Sequence, residues 1–538
     1  MSDDFLAING INAVTGDYLL KLTEADIVKI AKGEEWETDK NPLLYALNNR
    51  SANNDEHFGV EGGVDATNLA AAGWGIIFAH NENPAILDAL KELIEHRQTQ
   101  AGDLFKQFSG ENGYFPPQDA AKFLSRYMAT PHDPVDPTKV PYYLLIVGSP
   151  ETISYGFQYQ LDVQYAVGRI YFETVEEYAQ YAHSVVQAET QKLALPRQVR
   201  FFGVQNENDQ ATQLSAESLV KPLSIAEKLK KLPNWDLQTD LAAQATKARL
   251  GELMGGKDTP ALLFTASHGL GFPNGDNRQF SQQGALICQD WPGPGSGPLE
   301  EDYYFSAQDI DPDAKLWGLI SFHFACYGAG TPKVDEFGHQ KNKWPDIAPR
   351  SFVARLPQRL LSHPKGGALA VIGHVERAWG SSFTGAGDAQ ITSFRSTLLD
   401  LMTDKPIGLA MEYFNSRYAA LSTQLTNKIY DLKLGMKVPD FEISSSWTAN
   451  NDARSYTIIG DPAVRLMVSP TQINAVRPPR ESITFSVADV TPAPTAPSVK
   501  TETKPEVNTT LAQFTELLTN VIGRLESLEE QVSKLKKE

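Results

Sequence analysis

Residues 261–269 read Ala-Leu-Leu-Phe-Thr-Ala-Ser-His-Gly, and residues 316–326 read Leu-Trp-Gly-Leu-Ile-Ser-Phe-His-Phe-Ala-Cys. Each is a short run that stays apolar at successive positions instead of alternating. That pattern marks a strand buried on both faces, as in a parallel sheet covered by helices. Each run then ends in a reactive side chain. His268 is followed by Gly269, and Cys326 is followed by the glycine-rich turn Tyr327-Gly-Ala-Gly-Thr-Pro332. In open α/β sheets, ligands sit outside the carboxyl ends of the strands. If the two strands are parallel neighbours, His268 and Cys326 emerge on one edge.

Working outward, the same texture recurs. Strands are expected at 73–79, 142–147, 166–172, 199–204 and 368–372. Helices are expected at 23–33, 86–97, 120–128, 174–193 and 216–231, and around 398–411. Strands alternating with helices define an α/β fold with a mainly parallel sheet.

A thiol beside an imidazole at a strand edge is the equipment of nucleophilic catalysis. The imidazole helps form the thiolate and later protonates the leaving amine. Glycine after the histidine allows close backbone approach, so the N–H groups of Gly269 and Cys326 are candidates for stabilising an oxyanion. Read alone, Cys326 is equally an ordinary core cysteine. Its place after a strand, with His268 upstream, is what favours the catalytic reading.

Strand–His-Gly followed by strand–Ala-Cys resembles the caspase-like cysteine peptidases, and the gingipain-type branch in particular. Further segments carry the likeness: Tyr142–Pro150 (YYLLIVGSP), Leu161–Ile170 (LDVQYAVGRI), Gly366–Ser381 (GGALAVIGHVERAWGS) and Ile458–Leu466 (IIGDPAVRL). The resemblance implies a three-layer α/β sandwich in two adjoining subdomains, at 66–198 and 199–468. It implies Cys326 as nucleophile and His268 as general acid and base, acting on a polypeptide substrate. It also implies a specificity pocket shaped by the loop carrying Glu207 and Asp209 and by Trp379; Glu376, three residues before that tryptophan, is placed to supply charge there. Acidic residues there would favour a basic residue before the scissile bond. No cofactor is expected, and calcium enters through the resemblance alone.

Composition narrows the alternatives. The 538 residues carry 48 basic and 66 acidic side chains, a net charge of −18, which argues against a nucleic-acid or anionic-membrane binder. The two cysteines exclude a disulfide scaffold or a thiolate metal cluster. There is no His-Glu-x-x-His motif, EF-hand loop or phosphate-binding glycine fingerprint. The apolar stretches fall short of a membrane span. The start of the chain lacks a signal-peptide pattern, so a cytoplasmic location is expected.

Several other residues have two readings. His323, inside its apolar strand, suits the core or a supporting role at the site. His374, at another strand end, suits either packing or the site lining. Cys288 and the Gly-Asp-Pro at 460–462 read as structural.

Residues 1–65 have no clear class. Residues 469–510 are rich in proline, threonine and serine and read as a linker. Beyond them, Leu511, Phe514, Leu518, Val521, Leu525, Leu528, Val532 and Leu535 form an unbroken a/d heptad seam. It is expected to form a coiled coil joining copies of the chain, although it would be short for stability alone. The competing function is therefore a non-catalytic scaffold that assembles partners through these heptads. A third is a peptidase silent until they associate.

Overall fold

The computed structural model describes residues 6–32, 59–335, 345–384, 389–469 and 476–483. The chain divides into two units, Met1–Ser486 and Val487–Glu538. All described residues belong to the first, and the expected coiled coil at 511–538 lies outside them.

The core is a ten-stranded sheet. Its spatial order is Phe105–Phe108, Trp74–Phe78, Tyr143–Val147, Ala166–Ile170, Tyr456–Gly460, Ala370–His374, Ile320–Phe324, Leu262–Ala266, Gln198–Gly203, Asp236–Leu241. All neighbours are parallel except one pair, Ala370–His374 against Tyr456–Gly460. That antiparallel seam reverses the strand direction between the two halves. The central strands are buried along their whole length, whereas the outermost, Phe105–Phe108 and Asp236–Leu241, are partly exposed. This is why the central strands read as continuous apolar runs and the edges do not.

The expected α/β class is observed, with a difference in organisation. The expected boundary at 198/199 does not interrupt the sheet. The last strand, Tyr456–Gly460, comes from the second expected subdomain and pairs with Ala166–Ile170 of the first. The helix expected at 174–193 spans Val175–Thr190, opened by a capping box between Thr174 and Glu177. The strand expected from 316 starts only at Ile320, because Gly318 adopts φ +87° and Leu319 N–H closes a turn onto the Leu316 carbonyl.

Residues 6–32 are part of the fold. Helix Glu24–Lys32 packs on helix Asp440–Arg454. The start of the expected linker is also docked. The half-buried Arg477 guanidinium donates to the carbonyls of Pro260 (2.6 Å), Thr259 (3.3 Å) and Trp317, and Arg480 lies 4.0 Å over the Trp317 ring. Among the described residues, no helix is long and apolar enough to cross a membrane.

Candidate active site

Strands Leu262–Ala266 and Ile320–Phe324 are parallel neighbours, with Ala266 level with Phe324. His268 and Cys326 each lie two residues beyond that pair, so both follow the carboxyl ends on one edge. The backbones are in close contact there. A Cβ on Gly269 would fall 1.7 Å from the Cys326 carbonyl oxygen, so no other residue fits that position.

His268 is fully buried, and its Nε2 lies 2.7 Å from Asp209 Oδ2. The carboxylate can only accept this hydrogen bond, so Nε2 carries a proton, and in the neutral imidazole Nδ1 is then left with its lone pair. Nδ1 makes no hydrogen bond. The Tyr18 and Trp291 rings meet the imidazole edge-on, at 5.9 and 5.7 Å between centroids.

Asp209 is itself fully buried. It accepts from Tyr18 Oη at 2.6 Å and from Thr212 Oγ1 at 2.5 Å. Burial pushes its carboxyl up. The charge and hydrogen bond of His268, with those from Thr212 and Tyr18, outweigh this and hold it at about 2. Asp209 sits just before helix Gln210–Ser215, which turns its side chain inward. The resemblance implies that this carboxylate shapes a specificity pocket; the structure turns it onto the histidine. Glu207, two residues earlier, is exposed.

Cys326 is fully buried, and burial pushes its thiol up to about 12. Sγ accepts the Ala378 N–H at 3.2 Å. The surrounding backbone is strained: Tyr327 and Glu376 both have positive φ, 59° and 77°, and Tyr327 N–H donates to the Glu376 carbonyl at 2.6 Å. The Glu376 side chain pairs with Arg377 at 3.1 Å, and Arg377 forks onto Asp335 with two 2.7 Å bonds.

Residues 6–12 run through the space beside Cys326. Strand Gly10–Asn12 pairs in parallel with Gly269–Gly271, Gly10 opposite Gly269. On the other side, Ile8 bridges antiparallel to Trp379, Asn9 N–H donates to the Ala378 carbonyl at 3.0 Å, and Gly380 N–H donates to the Ala7 carbonyl at 3.0 Å. The N–H groups of Gly269 and Cys326 converge on one acceptor, the Asn9 carbonyl oxygen, at 2.9 and 3.1 Å. These are the two groups that the sequence nominates for an oxyanion.

A second carboxylate fixes the Trp379 segment. Asp452 Oδ1 accepts the Trp379 N–H at 3.0 Å and lies 3.4 Å from His374 Nε2, while Oδ2 accepts from Ser382. His374 is buried behind the site and braces it. His323 is buried within its strand with neither ring nitrogen hydrogen-bonded, and burial drops it to about 3, so it stays neutral in the core. Cys288 is buried with its thiol pushed well up by burial, which fits a structural residue. Among the described residues, no group of three or more His, Cys, Asp and Glu side chains is placed to hold a metal.

Asn9, Tyr18 and Asp452 carry no sequence signal of their own. The approach of Asn9 to Ser267 and of Tyr18 to Asp209, 258 and 191 positions away, is visible only in three dimensions.

No family model and no curated protein matches the chain. Among solved structures, the chain is similar to one described as a protease, at 12% identity and a TM-score of 0.42, over 74% of this chain and 80% of that one. It is also similar to the Arg-specific cysteine proteinase gingipain R, at 12% identity and a TM-score of 0.38, over 73% and 78%.

Proposed function

We propose that this chain is a cysteine endopeptidase. The observation that carries the reading is the convergence of the Gly269 and Cys326 N–H groups on one carbonyl oxygen, at 2.9 and 3.1 Å, beside the Cys326 thiol. Donors at this distance strengthen as a carbonyl oxygen gains charge in a tetrahedral intermediate. Cys326 supplies the nucleophile. His268, with its Nδ1 lone pair, takes the thiol proton and returns it to the leaving amine. Asp209 is a positioning residue that holds the imidazole in that tautomer and stabilises its cation, as in other catalytic triads. The Trp379 segment, braced by Asp452, offers backbone groups to an extended polypeptide substrate.

This chemistry requires no cofactor, and calcium is included as a variable in the assay below. The argument for a basic residue before the scissile bond rests on Glu207, Asp209 and Glu376. Asp209 is engaged by His268 and Glu376 by Arg377, which removes most of that charge. The heptads at 511–538 would join copies of the enzyme in the cytoplasm.

The scaffold reading is favoured by one observation: Cys326 is sealed by the chain's own segment, with its thiol pushed up to about 12. A panel of fluorogenic peptides and a thiol-reactive peptide, with and without calcium, separates the two. Turnover and labelling lost in Cys326→Ala support the peptidase. Turnover that persists in Cys326→Ala removes Cys326 from the chemistry. Silence in all arms, with Cys326 unlabelled even when the segment is displaced, supports the scaffold.

A further inference from the structure

We propose that residues 6–12 are the enzyme's own first substrate, cut between Asn9 and Gly10, and that the site selects asparagine before the scissile bond. The inference rests on the peptidase reading and names its substrate.

The segment has a substrate's posture. It is extended, bonded antiparallel to Ala378–Gly380 before Asn9 and parallel to Gly269–Gly271 after it. Such strand addition supplies affinity through the backbone, and side-chain pockets then supply selectivity. The carbonyl between the two N–H donors belongs to Asn9, so the bond presented to Cys326 is Asn9–Gly10. Gly10 lies against the thiol: a Cβ there would fall 2.7 Å from Cys326 Sγ and 2.4 Å from Leu19 Cδ1. Only glycine lets the chain pass this close.

The Asn9 side chain is fully buried. Its Nδ2 donates to the Ser267 carbonyl at 3.4 Å, while Oδ1 makes no hydrogen bond. A carbonyl acceptor suits a carboxamide N–H. An aspartate there would set an unpaired buried carboxylate against that carbonyl, and a lysine or arginine would bring a buried charge. Past the cut, Ile11 and Ala13 are buried in an apolar cluster with Leu270, Phe272 and Trp291. The leaving side therefore stays anchored while residues 1–9 can depart.

The step balances as follows. The Cys326 thiolate, its proton on His268, attacks the Asn9 carbonyl carbon, and the C=O electron pair moves onto the oxygen held by Gly269 and Cys326. The oxygen re-forms its double bond, the Asn9–Gly10 C–N bond breaks, and His268 protonates the Gly10 nitrogen. Water then adds to the thioester with His268 taking a proton. Residues 1–9 leave with a carboxyl terminus, and the thiol is restored.

The test is intact mass and N-terminal sequencing of the purified full chain. It is run beside Cys326→Ala, Asn9→Lys, Gly10→Val and Ile8→Lys, with thermal melts to confirm folding. Gly10→Val and Ile8→Lys displace the segment in different ways, so the loss of one to misfolding leaves the other. The wild type should begin at Gly10, while Cys326→Ala and Asn9→Lys stay whole. The displaced variants should turn over an Ala-Ile-Asn reporter on the order of 10²-fold faster than Ala-Ile-Asp, Ala-Ile-Lys or Ala-Ile-Arg reporters. A wild type that stays whole, or displaced variants that prefer a basic reporter, overturn the inference. In the second case the peptidase reading survives. No turnover of any reporter by either displaced variant, with Cys326 unlabelled, removes the peptidase reading itself.

Discussion

Around the Gly-Asp-Pro turn, Asp461 accepts from Arg97 Nε at 2.7 Å and from Trp74 Nε1 at 3.0 Å, and Arg97 forks onto Glu189 with two 2.7 Å bonds. Around Cys326, His268 Nδ1 and Asn9 Oδ1 make no hydrogen bond, and a thiol sits buried and neutral. Both clusters are built on the same sheet from buried polar groups. In the first, each charge has its counter-charge and its hydrogen bonds, which is how a fold tolerates ions in its interior. In the second, one carboxylate is well partnered, and the groups it supports are left with unused bonding capacity. Unused capacity in a buried site costs stability; His323 carries it within the core, and beside Cys326 it falls on the groups a reaction would use.

The largest effect that separates the two regions should come from Cys326→Ala. Self-cleavage and reporter turnover should fall at least ~10⁴-fold, as expected when a covalent nucleophile is lost. Measured against an equally uncut chain, the melting temperature should hardly move, because the thiol makes only weak hydrogen bonds to Ala378, at 3.2 Å from its N–H and 3.8 Å to its carbonyl, and pairs with no charge. A large fall in stability with activity retained would place Cys326 in the structural class beside Asp461.

Asp209→Asn comes next and probes where the partnered part of the site ends. The amide keeps the shape but cannot fix the tautomer or balance an imidazolium. Turnover should drop ~10³- to 10⁴-fold, with kcat rather than KM carrying the loss. Loss confined to KM would mean that Asp209 faces substrate, as the resemblance implies, and that its bond to His268 is incidental.

The contrast also explains what could be read before the structure. The paired strands and the order His268-Gly269 then Ala325-Cys326 were legible, because central strands buried on both faces must be apolar throughout. Edge strand Asp236–Leu241 gives no apolar run, because its half-exposed face carries Asp236, Gln238 and Asp240. The resemblance places the Asp209 carboxylate at the site, but its direction depends on where helix Gln210–Ser215 begins. Tyr18 and Asn9 were invisible, since an extended segment without periodicity announces no partner. Glu207, named for the pocket by the resemblance, is exposed.

Arg97→Met should show the opposite signature to Cys326→Ala. Removing the guanidinium leaves Asp461 and Glu189 facing each other's charge in the interior. A loss of ~3–5 kcal/mol is expected, the usual result of breaking a buried ion pair from one side. Among molecules that remain folded, the rate of self-cleavage should stay within about threefold of wild type. A rate collapse without a stability change would show that the two clusters are coupled through the sheet.

The smallest effect, and the finest test, is the pH dependence of stability conferred by Asp209. Its folded carboxyl, at about 2, lies below the ordinary value of 3.8. A depressed acid stabilises the fold above its unfolded pKa and loses that contribution as pH falls through the folded one. The difference amounts to about 2 kcal/mol, fully present near pH 5 and fading toward pH 2. Denaturant unfolding of Cys326→Ala and of Cys326→Ala/Asp209→Asn across that range isolates it without self-cleavage. The gap between the two curves should close as pH falls. A gap that is constant with pH would mean the aspartate contributes shape and hydrogen bonds but no charge. The site would then lack the anion needed to hold an imidazolium, and its resemblance to the fully paired Arg97 cluster would end at the hydrogen bonds.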